Sequence, residues 1–238
     1  MLPSMAFIAE LRNVGRVALD LVYPPVCGVC GRPGAFVCAG CIDALPRTHG
    51  ARCDICWLPL RGVHCYGCAS RPLPLEMLRA PFRYEGDVRP IVRAFKFGGQ
   101  SSLAPLLGAQ LSEAYEDHRF DVDLIVPVPL TGARKRWRGY DQALLLAREL
   151  GGLQQLPVVE ALRRRGNAVP QAESSGVDQR LRNVQGVFSA SKPEVVRGQR
   201  VLLIDDVATT CATLSACANQ LMDAGASAVL ALTVARED

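Results

Sequence analysis

No stretch of this 238-residue chain is both long and uncharged enough to span a bilayer. The segment MLPSMAFIAELRNVGRVALDL is not expected to act as a secretory signal: Glu10, Arg12 and Arg16 break its apolar residues before any small-residue cleavage site. The expectation is a cytoplasmic protein without a membrane span. Lysine is scarce, three residues against 24 arginines, so nearly all positive charge sits on forked guanidinium groups suited to phosphate. At a net charge of +4 this points to phosphates without establishing nucleic acid, and genomic base composition gives the same bias. Nor does any residue set specify a nucleobase.

Cysteine, by contrast, is abundant and clustered. Eight of the ten lie between residues 27 and 68 as four CxxC pairs: Cys27/Cys30, Cys38/Cys41, Cys53/Cys56 and Cys65/Cys68. One CxxC turn brings two thiolates to a metal, and two such turns complete a closed tetrahedral S₄ site that folds without a large core. Two structural Zn²⁺ are expected, rather than four disulfides in a chain without a secretion signal. Spacing alone leaves the pairing open; sequential pairing closes each half at lower loop entropy than a crossed scheme. His49 and His64 are not needed as ligands. Ribbons of this kind are expected to fold apart from the larger domain, so that Cys53→Ser would leave that domain intact.

About half the residues are apolar, enough for one large domain and a small one. An amphipathic helix is expected over 1–22, with Phe7, Ile8, Leu11, Val14, Val17 and Leu21 on one stripe, then a double zinc ribbon over 23–72 and an α/β domain over 73–238. The boundary falls in the proline-bearing ASRPLPLEMLRAP, residues 69–81. Beyond it, strands are expected near 82–84, 123–130, 187–190, 201–204 and 228–234, and helices over 88–95, after Gly139, and from Cys211 to Ala224. The alternation implies a parallel sheet with helices on both faces.

The most informative string is VLLIDDVATTCAT, residues 201–213. Val201 to Ile204 read as a strand buried on both faces, which sets Asp205 and Asp206 at its carboxyl end, where α/β sheets bind ligands. Thr209, Thr210 and Thr213 then offer hydroxyls beside the unpaired N–H groups of a helix start, a phosphate site by geometry and dipole. Two acids beside a phosphate cradle suit a ligand with sugar hydroxyls and a phosphate. Elsewhere, Lys96 precedes two glycines, and Arg134, Lys135, Arg136 and Arg138 form a basic loop into a helix start. Trp137 in that run either stacks a base or packs on the surface. Residues 161–188 form a long polar stretch bearing Arg163–Arg165, Arg180 and Arg182.

The 201–213 string resembles the ribose-phosphate signature of type I phosphoribosyltransferases, which bind phosphoribosyl pyrophosphate (PRPP). It departs at Cys211, where those proteins usually carry glycine, able to take φ > 0 or let backbone approach a phosphate. Over nearly the whole chain, YPPVCGVC, the further CxxC pairs, FKFGGQ, PVPL, RGYDQA, VPQA, RLRN and VLLIDDVATTCAT stand in the order seen in the ComF family, double zinc ribbons ahead of a phosphoribosyltransferase domain. The resemblance implies a type I phosphoribosyltransferase-like fold. It also implies that Asp205 and Asp206 hold the ribose hydroxyls and act electrostatically in any catalysis, and that Ala208, Thr209, Thr210, Cys211, Ala212 and Thr213 bind the 5′-phosphate. Lys96, Pro127 and Pro129 would face the pyrophosphate, with Mg²⁺ arriving on PRPP oxygens. For competence members it implies handling of single-stranded DNA during natural transformation, with a helicase-like protein as partner. An active phosphoribosyltransferase acting on an unidentified base is the alternative.

Overall fold

Asp205 and Asp206 sit on a strand whose neighbours are all parallel to it. The computed structural model describes residues 24–60, 62, 65–70, 72–164 and 186–238. The helix expected over 1–22, His64, Arg165 and the VPQA and RLRN motifs lie outside the described residues. Strand β3 (Leu124–Pro127) pairs with β6 (Arg200–Ala208), which pairs with β7 (Ala228–Arg236). Two short strands, β1 (Leu78–Arg79) and β2 (Phe82–Arg83), both pair with β7, giving the order β1-β7-β6-β3 with β2 beside β7.

Alternation along these strands fills both faces of the sheet. Val201, Leu203, Val229 and Ala231 share one cluster with Leu214, Cys217, Ala218 and Leu221 of helix α8 (Ala212–Asp223). Cys217 is thus a core residue, as its flanking alanines suggest. Their neighbours Leu202, Ile204, Leu230 and Leu232 are equally buried and point the other way. There the sheet is covered by α4 (Ala104–Asp117) and α6 (Gln142–Gln154), which also pack on each other. Their close approach depends on Gly108, where a Cβ would collide with the Glu149 side chain. Each fully buried aliphatic contributes about 1.5–3 kcal/mol. The expected α/β class, helices on both faces of a parallel sheet with cysteine tetrads ahead of it, is the observed one.

Several local expectations are corrected. Residues 132–138 form a helix, α5 (Gly132–Arg138), rather than a basic loop: Thr131 Oγ1 accepts from Arg134 N at 3.2 Å, and Gly139 ends the helix in the left-handed region. Helix α4 was not anticipated at all, although Pro105 stands in its first turn, where proline is tolerated. Strand β6 continues through the acids, Asp205 pairing with Thr233 and Ala208 with Arg236, and α8 begins at Ala212. The 161–188 stretch carries a two-stranded antiparallel ladder of β4 (Leu162–Arg164) and β5 (Phe188–Ala190).

The largest difference concerns the units. The chain divides into compact units 1–45 and 46–238, so Cys53, Cys56, Cys65 and Cys68 belong with the sheet and not with the first cysteines. Hydrogen bonds explain this. Leu78 N donates to Ile55 O at 2.8 Å, Trp57 Nε1 to Ala80 O at 3.1 Å, and the buried Arg79 to Asp54 O at 2.6 Å. Arg52, also buried, forks onto the Asp238 carboxylate at 2.8 and 3.0 Å. The sheet unit therefore begins ahead of the second CxxC set, well before residue 73. No helix among the described residues is long and apolar enough to cross a membrane.

Candidate ribose-phosphate site and cysteine tetrads

The end of β6 opens into a cavity of about 260 Å³ lined by Asp205, Asp206, Thr209 and Thr213, by Val128–Leu130, and by Tyr84, Lys96, Arg134, Arg138, Gln142 and Arg164. Lys96 Nζ lies 2.8 Å from Asp206 Oδ1, and Asp205 Oδ1 accepts from Asp206 N at 2.8 Å. Burial, then the neighbouring Asp206 carboxylate, pushes Asp205 up to about 8, against the pull of Lys96. One acid is thus ion-paired and the other inclined to keep its proton.

Lys96 is aimed by the RGYDQA segment. It lies in the last turn of α3 (Val88–Phe97), whose end is held by Tyr140 Oη donating to Phe95 O at 2.5 Å and Gln142 Nε2 donating to Lys96 O at 3.3 Å. Gln142 in turn accepts from Arg138 Nη1 at 2.9 Å, while Asp141 caps α6 by accepting from Leu144 N. One short motif therefore fixes a helix end, starts the next helix and delivers a guanidinium to the cavity.

Burial lowers the pKa of Arg138 and of Arg164, and Arg134 lowers that of Arg164 further. The Nε atoms of both are buried without a partner among the described residues. Buried cationic donors left unpaired favour an anion beside them. Adjoining the cavity, a recess of about 40 Å³ is lined by Asp205 and residues 207–214. At its centre Cys211 takes φ 59°, ψ 10°, the left-handed conformation for which glycine is the ordinary residue, and its side chain is buried.

The predicted residues 205, 206, 208–213, Lys96 and Pro129 thus gather around the two connected spaces. Pro127 does not line them: it belongs to β3, paired with Ile204. Tyr84, Arg134, Arg138, Gln142 and Arg164 are the polar lining residues absent from the predicted ligand set. The basic run 134–138, RGYDQA and the arginine run at 163–165 are visible signals for four of them; Tyr84 has none.

The eight cysteines form two tetrads, Cys27/Cys30/Cys38/Cys41 and Cys53/Cys56/Cys65/Cys68, with all sulfurs in each within 4.8 Å. This is the sequential pairing. Observed Sγ separations of 3.7 Å for Cys30–Cys38 and Cys53–Cys68, and 3.4 Å for Cys56–Cys65, approach the edge of a tetrahedron with metal–sulfur bonds of about 2.3 Å. The donor set and spacing fit Zn²⁺. Within the first tetrad, backbone N–H groups of Cys30 and Cys38 hold Cys27 down to about 6, while side-chain hydrogen bonds from Cys38 and Cys30 push Cys41 up to about 12. Burial pushes Cys56 up to about 11. Four thiolates cannot share one site without a cation.

No protein-family model matches the chain. It is 31% identical over 222 residues to DNA utilization protein YhgH of Escherichia coli K12, covering 88% of this chain and 96% of that protein. It is 28% identical to competence protein ComFC of Bacillus subtilis, covering 86% of each, and 28% identical to competence protein F of Haemophilus influenzae, covering 84% of this chain and 90% of that one. Among solved structures, a glutamine PRPP amidotransferase from B. subtilis complexed with ADP and GMP matches with 18% identity and a TM-score of 0.42, over 59% of this chain and 30% of that one.

Proposed function

This chain belongs to the ComF family, and from that premise we propose that it binds PRPP or a related ribose 5-phosphate and handles single-stranded DNA in DNA utilization or natural transformation, in the cytoplasm. The observation that carries the reading is the joining of the Asp205–Asp206 pair and the 208–213 recess in one site faced by Lys96, Arg134, Arg138 and Arg164. The acids would accept from the ribose hydroxyls, the recess would take the 5′-phosphate, and the guanidinium groups would take further phosphate. Mg²⁺ would come with PRPP, carried mostly on its oxygens and on water. Zn²⁺ in both tetrads would hold the two cysteine modules in shape, a structural role because each S₄ set is closed.

A DNA strand lacks the ribose 2′ hydroxyl, so the diacid does not suit it. Single strands are better met outside the cavity, where exposed Trp137 and Phe97 lie with ring centroids 6.0 Å apart and Arg138 sits 4.7 Å over Phe97. Exposed Lys135 and Arg136 share that helix. Stacking rings among basic groups suit single strands of any sequence. The tetrads offer a further surface for DNA or for a helicase-like competence partner.

The test is pyrophosphate release from PRPP with Mg²⁺ across a panel of bases, run beside single-strand binding over a salt series. Binding of PRPP without release, together with DNA affinity that falls by roughly 0.7 log units per log unit of salt for each phosphate neutralised, is the expected outcome. Release with one particular base would make the chain an active phosphoribosyltransferase. A flat salt response would remove the DNA part of the proposal.

A further inference from the structure

The second tetrad and the 208–213 loop stand on walls of one cavity of about 410 Å³, Cys56, Cys68 and Leu58 on one side and Thr209–Cys211 on another. Across that gap runs a single buried side chain, Arg236, at the end of β7. Its Nε donates to Cys56 O at 2.9 Å; its Nη1 donates to Ala208 O at 3.0 Å and to Thr209 O and Glu237 O at 2.5 Å. The loop is tied to the same strand end by Glu237 N donating to Ala208 O at 2.9 Å. Of the other bonds from this tetrad to the sheet unit, those through Ile55, Asp54 and Trp57 end on residues 78–80 and the Arg52 fork ends on the Asp238 carboxylate; none of them ends on residues 208–213.

We propose that Arg236 is a positioning residue for the phosphate-binding loop, and that through it metal loading of the second tetrad sets the loop's conformation. A carbonyl at Cys56 fixed by a metal-bound thiolate orients the guanidinium. The guanidinium then fixes the carbonyls of Ala208 and Thr209, which precede the left-handed turn at Cys211. Free of metal, the Cys56 turn loses its anchor and the arginine one of its acceptors, and the loop samples more conformations. Coupling between two sites is reciprocal, so a ligand that orders the loop would also retain the metal. Lysine cannot replace this arginine: it keeps the charge but lacks the fork that reaches both sides.

The inference rests on reading the second tetrad as a zinc site. Hydrogen–deuterium exchange of the full chain tests it without any ligand, comparing amides 208–213 with those of Val201–Ile204, before and after zinc is stripped by a chelator. Stripping is expected to raise loop exchange at least tenfold relative to the strand in the wild type. In Arg236→Lys the loop should exchange fast with zinc bound, and stripping should add less than twofold. Arg79→Met, which cuts a different tie between tetrad and sheet, should keep the wild-type metal response. A wild-type loop indifferent to stripping, or an Arg236→Lys loop that responds like the wild type, would overturn the proposal. Zinc analysis of the same samples separates the two failures: protein that binds no zinc removes the metal reading and the coupling with it, whereas zinc present with an indifferent loop removes the coupling alone.

Discussion

The two cysteine tetrads share a spacing and a turn, yet they are held in different ways. Val26 pairs with Pro33 across the first turn and Arg52 with Pro59 across the second, and in each the fourth residue after the leading cysteine takes a left-handed conformation. In the first that residue is Gly31, with open space around its Cα. In the second it is Trp57, at φ 60°, a conformation costing a side-chain-bearing residue roughly 1–2 kcal/mol. Docking offsets the strain: the Trp57 indole donates to Ala80 O, stands edge-on to His118 with centroids 4.9 Å apart, and lies 4.3 Å beneath the Arg79 guanidinium. One tetrad lies in the unit of residues 1–45; its counterpart is a corner of the sheet unit. A motif common to both therefore does not predict a common role in stability.

The sharpest way to break this contrast is to remove one ligand from each. Cys56→Ser is expected to lower the stability of the sheet unit by about 4–5 kcal/mol, the scale of a lost structural metal. Cys30→Ser should lose its own metal and leave the melting of the sheet unit unchanged. Calorimetry with zinc analysis of both variants decides it, and equal effects on the main transition would erase the distinction. Next in size, Trp57→Ala should cost about 2–4 kcal/mol, part of a full tryptophan truncation. Gly31→Ala should cost only about 1 kcal/mol, the left-handed penalty alone. Urea denaturation reads both.

Asp205 sharpens the contrast between docked and free groups from another side. Its pKa in the folded chain is raised to about 8 from an ordinary carboxylate value, so the unfolded chain releases this proton first as pH rises. The ligand-free protein accordingly loses stability from about pH 4 to pH 8 through this group. The gain from Asp205→Asn should grow across that window, by up to roughly 1 kcal/mol for each unit of pH, and level off above it. A gain independent of pH would show that Asp205 is not protonated in the folded chain. Smallest is Cys211→Gly: relief of the left-handed conformation is offset by loss of a buried side chain, leaving a net change below about 1 kcal/mol. A loss of several kcal/mol would make the thiol's packing the dominant factor.

What sequence revealed and what it hid divide along the range of the interactions. The strand through Val201–Ile204 and the four CxxC turns are local patterns and stand where they were expected, although the strand runs on through both acids to Ala208. The left-handed turn behind the usual glycine is present at Cys211 with cysteine in its place. Helix α5 was missed because none of its residues is buried, so it has no apolar stripe to read. The integration of the second tetrad was not legible at all: Arg52, Arg79 and Arg236 look like surface charge until their partners, up to 186 residues away, come into place. Lys96 lies between these cases, a lysine before two glycines whose aim is set by Tyr140 and Gln142 more than 40 residues later.

The ribose-phosphate site turns on the Asp205–Asp206 pair. Isothermal titration of PRPP with Mg²⁺ into the wild-type chain and into Asp205→Asn/Asp206→Asn should show binding to the first, weakened roughly 10- to 100-fold in the second, as expected for lost charged hydrogen bonds. Equal affinity in the two proteins, or no binding to the wild type, would contradict it.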